Sequence, residues 1–432
     1  MTNRTHSLKK NNYDFFQQHL TNRYSTIKDE ILPKRYVSTY ASEIDNSYLL
    51  QNIVSEGTPL IDFLSLMFDV DRMEPENPYI YHALSPSARG FQGYTVTMNF
   101  SFNGHELNFI YLKNHQDFYL TSGYLQKAYT DKLDITIKLF YDHANIGSYY
   151  GRFGFILSLL DAGHQINHFE KLTDQFNYPV SVIEYLPKNS TINSNFFPLV
   201  CLNFEYNHAI DLSLEGDKSL FLESDLRIEE VVDSNFSLFI EGINSYDSLQ
   251  RGKKEPLLEV FDYDFIVKKR TSLQSYEGLS FSETKEVETI ELNKLMELNK
   301  KNYSRIDMII FDLVQKKIIC PEEIKDMRDF IDIEKVFYDS MEYISVEKAS
   351  YLFLTFSKRK TANNSKTVLI DFIQSAELMH EVSIFFSQKD YISRCFRNIN
   401  DKYVLSKFQQ YEYVTYMQIV GINNQNRKLI LS

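Results

Sequence analysis

Residues 149–164 read Tyr149-Tyr150-Gly151-Arg152-Phe153-Gly154-Phe155-Ile156-Leu157-Ser158-Leu159-Leu160-Asp161-Ala162-Gly163-His164. From about Phe153 the apolar character continues through Phe169, which is too long for a strand and predicts a buried helix. Ala162 and Gly163 are small enough to let another element pack closely against it. Upstream, strict alternation over residues 94–100 predicts a strand, and a second strand over 107–112 follows across the Asn103-Gly104 hairpin signal. A further strand is expected at 134–140, and one at 198–204 closes this half. A helix is expected over 48–70, and residues 1–30 are polar and helix-compatible, with Tyr13, Phe16 and Leu20 on one face. Residues 241–256, with Gly242, Gly252, Pro256 and the run Arg251-Gly252-Lys253-Lys254-Glu255, read as a linker. After it the pattern restarts: a helix at 290–299, a strand at 308–314, a helical region at 321–341, a strand at 350–356, a helix at 368–388 and a strand at 413–420. His380 lies 216 positions after His164, and Val420 lies 216 after Phe204. Two elements in one register predict an internal duplication. The expected fold class is α+β, with domains at 1–240 and 257–432.

Length and composition agree with two domains. A chain of 432 residues exceeds the size at which single cores stop growing. Apolar residues make up 43% and charged residues 24%, as in ordinary globular proteins. A net charge of −12 argues against a nucleic-acid partner, which needs a basic surface. There are 33 Phe and 30 Tyr but no Trp. No apolar run is long enough to span a bilayer, and the basic N-terminal residues lack an apolar block behind them. A cytoplasmic protein is therefore expected. Cys201, Cys320 and Cys395 lie far apart and are expected to be reduced, without metal-ligand spacing. His164, His168 and His380 are not spaced as a metal site either. No phosphate-loop, HExxH or GxSxG motif is present.

Three short segments resemble the nitroreductase-like flavoproteins. Ser85-Pro86-Ser87-Ala88-Arg89-Gly90-Phe91-Gln92-Gly93-Tyr94 is similar to the family's Pro-Ser-Ala-Gly turn, which feeds directly into a strand. A turn of small residues lets main-chain and hydroxyl groups approach a flat ring. Here Arg89 stands where the family has Gly. The opening segment resembles the Lys-Tyr-Gly…Leu-Leu-Glu-Ala-Gly-His stretch of the SagB/ThcOx-type azoline dehydrogenases, matching at Tyr150, Gly151, Gly154, Leu159, Leu160, Ala162, Gly163 and His164, with Asp161 for Glu. Lys269-Arg270-Thr271-Ser272-Leu273-Gln274 resembles the Arg-x-Ser-x-Arg segment that opens nitroreductase domains, with Gln274 in place of the second Arg. Arg427-Lys428 stands where the family has a basic pair facing the flavin phosphate.

The resemblance implies tandem nitroreductase-like domains forming a fused pseudo-dimer. In the homodimeric family one subunit supplies the Pro-Ser turn and the other the Arg-x-Ser segment and the tail cations. Here the first half keeps the turn and the second half the cations; Lys34-Arg35 with Ser38 is a poor first-half counterpart. One FMN site per chain is implied, held by Pro86, Ser87, Ala88, Arg89, Arg270, Ser272, Gln274, Arg427 and Lys428. The implied catalytic residues are Tyr150 and Tyr149, which align with the family's Lys-Tyr pair. The Lys position is thus Tyr, a poor base at neutral pH unless shifted. The implied reaction oxidises thiazoline or oxazoline rings of a ribosomally made peptide to azoles, with the precursor peptide and a cyclodehydratase as partners. The alternatives are a flavin-free scaffold subunit of such a complex and a general NAD(P)H-dependent nitro- or ene-reductase.

Overall fold

Alternation builds the first sheet. Every second side chain of Tyr94–Phe102 is buried, so one face of this strand meets the core. Asn103 and Gly104, with φ of 47° and 80°, form the two-residue turn that returns the chain into the next strand, pairing Phe102 with His105. The computed structural model describes residues 46–55, 57–75, 77, 81–87, 92–113, 115–123, 127–188, 196–213, 239, 243, 247–252, 254, 263–271, 279–321, 331–338, 345–358, 365–423 and 429–430. The helix expected within 1–30 and the segment Lys34-Arg35…Ser38 lie outside these residues.

In chain order the first half contains α1 (Pro59–Phe68), β1 (Val70–Met73), β2 (Tyr81–Ala83), β3 (Tyr94–Phe102), β4 (His105–Leu112), β5 (Asp117–Ser122), β6 (Lys127–Thr130) and β7 (Leu133–Asp142). It continues with α2 (His143–Tyr150), α3 (Phe153–Phe176), β8 (Val180–Tyr185), β9 (Phe196–Tyr206) and β10 (Ile210–Ser213), and β11 (Leu249–Gln250) follows. Next come α4 (Tyr263–Lys269), α5 (Thr289–Asn302), β12 (Ile306–Asp312), β13 (Lys317–Ile319), β14 (Tyr351–Lys358), α6 (Ser365–Ser387), β15 (Ile392–Phe396), β16 (Tyr411–Gly421) and β17 (Leu429–Ile430). The seven-stranded sheet runs β11-β8-β9-β7-β3-β4-β5, and the five-stranded sheet runs β13-β12-β14-β16-β15. Without its two edge strands the first sheet is β8-β9-β7-β3-β4. It matches β15-β16-β14-β12-β13 strand for strand, with every neighbouring pair antiparallel. The long helix follows the matching strand in both: α3 after β7, α6 after β14. The two halves are two copies of one α+β plan.

The helix expected over 48–70 is broken. A 3-10 turn and the short helix Leu50–Ile53 precede Gly57, at φ 76°, and Pro59 then starts α1 at a position that needs no backbone N–H. The chain is already extended at Val70. Of the helical region expected at 321–341, residues 322–330 and 339–341 lie outside the described residues, and Ile333–Val336 is helical. Within the expected linker, Leu249 and Gln250 pair with Tyr185 and Glu184 on the edge of the first sheet.

Between the sheets α3 and α6 pack along each other. Most of α3 is buried on every face, including Asp161, His164, Gln165 and His168. The closest approach is at Gly163, where a Cβ would stand 2.2 Å from the carbonyl oxygen of Ile373 and 2.8 Å from the Cβ of Ala376. Beside it the rings of His164 and His380 face each other at 5.6 Å. Residues 216 apart therefore meet where the two helices cross, as one residue meets its own copy on a two-fold axis. Gly163→Ala must push the helices apart against backbone, so it should cost about 1–3 kcal/mol, the range for overpacking a core. Urea unfolding of the variant checks this, and an unchanged midpoint would mean that the helices are not in this contact.

Candidate functional site

A small sheet of order β17-β1-β2 gathers distant parts of the chain. Arg72 of β1 is opposite Ile430 of β17 on one side and His82 of β2 on the other. β2 leads into Leu84-Ser85-Pro86-Ser87. The main-chain oxygen of Leu84 accepts a 2.9 Å hydrogen bond from Nη2 of Arg270, which α4 delivers just beyond its last turn. Glu74 binds the two sides together. It accepts from Arg72 Nε (3.0 Å), Thr271 Oγ1 (3.0 Å) and Asn77 Nδ2 (2.8 Å), and His82 Nε2 lies 3.6 Å away. Burial alone would raise its pKa, but Arg72, His82 and these hydrogen bonds outweigh burial and hold it at about 2. Arg270 is pulled down to about 9, by burial first and then by the charge of Arg72. Arg72 and Arg270 are both buried, and among the described residues Nη1 of Arg72, Nε of Arg270 and Oγ of Ser85 have no hydrogen-bond partner.

The turn is closed from within. Ser87 Oγ accepts from the N–H of Gln92 at 2.8 Å, and Gly93 N–H donates to Asp161 of α3 at 2.9 Å. Ser158 Oγ donates to the Gly93 carbonyl, and Tyr94 Oη donates to Gln165 at 3.0 Å. Pro86 and Ser87 are half-buried. The helix α2 reaches the same place, because Ile146 lies against Gly93. It ends in Tyr149, half-buried, and Tyr150, 7% exposed.

The equivalent position on α6 is differently occupied. Glu377 stands three residues before His380, as Asp161 stands three before His164. Glu377 accepts from Tyr185 Oη at 2.6 Å and pairs with Arg251 Nε at 2.9 Å and with Lys254. Arg251 also pairs with Glu170 of α3, and Lys254 lies over the ring of Tyr303 at 3.7 Å. Arg251 thus bridges the two long helices, and both Arg251 and Lys254 lie against the acid that corresponds to Asp161.

Among solved structures, the chain is similar to a protein designated a nitroreductase, from Anabaena variabilis, at 11% identity. That match covers 96% of this chain and 99% of the other, with a TM-score of 0.58. The fold is that of the nitroreductases. Two partial overlaps add nothing to this. One is a nitroreductase family protein from Clostridium novyi NT (14% identity, 39% of this chain and 87% of that one, TM-score 0.29). The other is the E. coli microcin synthetase McbBCD complex with truncated pro-MccB17 bound (10%, 47% and 86%, TM-score 0.27). No sequence family and no curated protein matches the chain.

Within this nitroreductase fold Arg270 meets the main chain at Leu84, two residues before Pro86, and Tyr149 and Tyr150 stand at the end of α2, whose Ile146 lies against Gly93. Ala88, Arg89, Ser272, Gln274, Arg427 and Lys428 lie outside the described residues. Sequence reading passed over Arg72 and Glu74, which carry no motif, and gave Ser85 no role although it opens the segment that resembles the Pro-Ser turn. The buried guanidinium of Arg270, whose Nε is unmet by the described residues, fits the phosphate of a flavin mononucleotide, which offers charged acceptors. Among the described residues no group of three or more His, Cys, Asp or Glu could hold a metal ion, Cys201, Cys320 and Cys395 form no disulfide, and no helix is long and apolar enough to cross a membrane.

Behind the site lie three buried histidines. Tyr263 Oη of α4 bridges His168 Nδ1 (2.8 Å) and His380 Nε2 (3.1 Å). His168 Nε2 meets the Leu66 carbonyl at 2.9 Å, and His164 Nε2 meets Tyr416 Oη at 3.1 Å. Burial lowers His164 to about 3 and His168 to about 4, and it also drives His380 down. The charge of Arg270 adds to all three, and His380 also feels its two neighbours and Lys171. Unfolded, these rings take up protons near pH 6.5. Folded, they do so only far lower, so stability present above about pH 6.5 is lost as the pH falls through about 4 and 3. Each ring should contribute a loss of about 1 kcal/mol per pH unit in that window. Unfolding midpoints between pH 7 and 4.5 should fall less steeply for His168→Gln than for wild type; equal slopes would put the acid sensitivity elsewhere.

Proposed function

We propose that this chain binds one FMN between its halves, 1–240 and 257–432, and oxidises thiazoline or oxazoline rings in a ribosomally made peptide to azoles. The observation that carries the flavin reading is the hydrogen bond from Arg270, of the second half, to Leu84, at the start of the Pro-Ser segment of the first. Two sequence elements 186 positions apart, each resembling a different part of one cofactor site, meet at that hydrogen bond. Arg270 and the tail residues Arg427 and Lys428 would hold the phosphate through charge-assisted hydrogen bonds, with Ser272 and Gln274 alongside. Pro86, Ser87, Ala88 and Arg89 would approach the ring and ribityl chain. Support for a single site comes from Glu377: the position matching Asp161 is occupied by Arg251 and Lys254 of the connecting segment.

FMN when bound accepts the hydride from the substrate ring carbon. The chain's own task is to orient that carbon and to move a proton, and Tyr150 is the residue proposed for it, with Tyr149 beside it. The azoline substrate rests on the resemblance of residues 149–164, and with it come the partners, a precursor peptide and a cyclodehydratase.

Denaturing purified protein and quantifying released flavin should give one FMN per chain. Two per chain would refute the single site, and none after reconstitution would favour the flavin-free scaffold. Arg270→Ala should weaken FMN binding by about 1.5–3 kcal/mol, the range for hydrogen bonds to charged groups. An unchanged dissociation constant would put the phosphate elsewhere.

Tyr150→Phe removes only a hydroxyl. It should slow azole formation by about 10²–10⁴-fold, the contribution of a general acid–base group, with FMN still bound. Mass spectrometry of an azoline-bearing peptide follows this as a loss of about 2 Da per ring, the two hydrogens passed on. A wild-type rate in the variant would remove Tyr150 from proton transfer. Reduction of nitroaromatics by NADPH with no azoline oxidation would replace the azoline reading with a general reductase.

A further inference from the structure

Arg72 was not singled out by any motif, yet it is 2% exposed, on a short strand, with a full charge. Burying a guanidinium is costly unless each of its N–H groups and its charge are met. Arg72 meets Glu74 through Nε, and Nη1 has no partner among the described residues. Glu74 is already shared: it also accepts from Thr271, the residue next to Arg270. Arg270 donates to the Leu84 carbonyl through Nη2, and its Nε has no partner among the described residues. Adjacent to Leu84 is Ser85, 4% exposed, whose hydroxyl has none among them either. A continuous chain of contacts, Arg72–Glu74–Thr271–Arg270–Leu84–Ser85, therefore holds two cations and one carboxylate. Three donors on it are buried and unmet by the described residues. Glu74 accepts from Arg72 and from Thr271, the residue next to Arg270, so one carboxylate ties the two cationic segments together, and the charge of Arg72 acts on Arg270. Among the described residues the cluster holds two cations for one carboxylate, a balance that an anion would complete.

We infer that Arg72 and Ser85 are anion ligands that act with Arg270 on one phosphate group, so that β1 and the residue before Pro86 belong to the binding site. The inference rests on the proposed flavin reading for the identity of the phosphate ester, FMN, but not for the anion site itself. Glu74 has a defined part in it. It orients Arg72 and Thr271 while cancelling one of the two positive charges, so it sets how much charge remains for the phosphate. The short sheet explains why Arg72 can serve. Its neighbours β2 and β17 fix its backbone on both sides, and β2 leads within two residues to Ser85.

The test compares dissociation constants for FMN and for riboflavin, which lacks the phosphate, by flavin fluorescence. For Arg72→Leu the FMN constant should rise by about 10- to 100-fold, as for loss of a charged hydrogen bond, with riboflavin binding unchanged. Ser85→Ala, which leaves the ion pair intact, should give a rise of about 2- to 10-fold for FMN alone. Glu74→Gln should act in the opposite direction and tighten FMN, because it uncovers the charge of Arg72. A merely structural role for this cluster would weaken both flavins in all three variants, and that result, or an unchanged FMN constant in Arg72→Leu, would overturn the inference. If wild type binds neither flavin, the flavin reading fails by itself. In that case inorganic phosphate should still raise the melting temperature of wild type, but not of Arg72→Leu or Ser85→Ala. Equal response of all three proteins to phosphate, or none in any, would overturn the anion site.

Discussion

Two long helices can lie against each other at van der Waals distance only where one of them has nothing to put between. In this protein that place is Gly163, packed so tightly on Ile373 that a Cβ would collide with its carbonyl oxygen. Several of the contacts that join the halves lie around that approach. The His164 and His380 rings meet beside it, Tyr263 ties α4 to both helices through His168 and His380, and Asn167 reaches Glu381 across the same interface at 2.7 Å. Because α4 ends at Lys269, its anchoring to the helix pair also sets where Arg270 stands. The Arg270 end of the candidate site is thus held by the same packing that holds the two copies together.

Matching the two copies through this crossing makes their divergence readable. Asp161 and Glu377 occupy equivalent positions on α3 and α6, yet one caps the main chain of Gly93 and the other is surrounded by Tyr185, Arg251 and Lys254. Glu377 is fully buried, and its two cations come from the segment connecting the copies. A buried carboxylate is costly unless it is paired and hydrogen-bonded. Asp161 has the N–H of Gly93, and Glu377 has the Tyr185 hydroxyl and the two cations of the connecting segment.

Much of the fold was legible locally. The Asn103-Gly104 turn, the alternation of β3 and the apolar length of α3 and α6 are signals carried by neighbours in sequence, and the offset of 216 survives because each copy kept its long helix and the strand after it. The β1–β2 pair was not legible. Val70, Asp71, Arg72 and Met73 show no alternation that would mark a strand, since their partners are a three-residue strand and a two-residue strand from the other end of the chain. For the same reason Arg72 and Glu74 could not be picked out: a polar residue buried by distant partners looks like a surface residue in its own segment. Arg270 and Ser87 were noticed because family motifs surround them. The contact of Arg270 with the main chain of Leu84 is a property of the fold alone.

The pairing of Arg72 with Ile430 has a consequence for how the molecule is made. The strand carrying Arg72 is synthesised early, but its partner is more than 350 residues downstream. Contacts this remote in sequence form late, because a long loop must close before they contribute anything. Throughout translation of the intervening chain, the β1 edge and its buried-to-be guanidinium wait in water without the strand that covers them. A nascent chain released short of residue 430 can therefore assemble both sheets and the helix crossing while lacking one wall of the candidate site. Such a product would pass for a folded protein by its secondary structure and differ only at the place where β17 should lie.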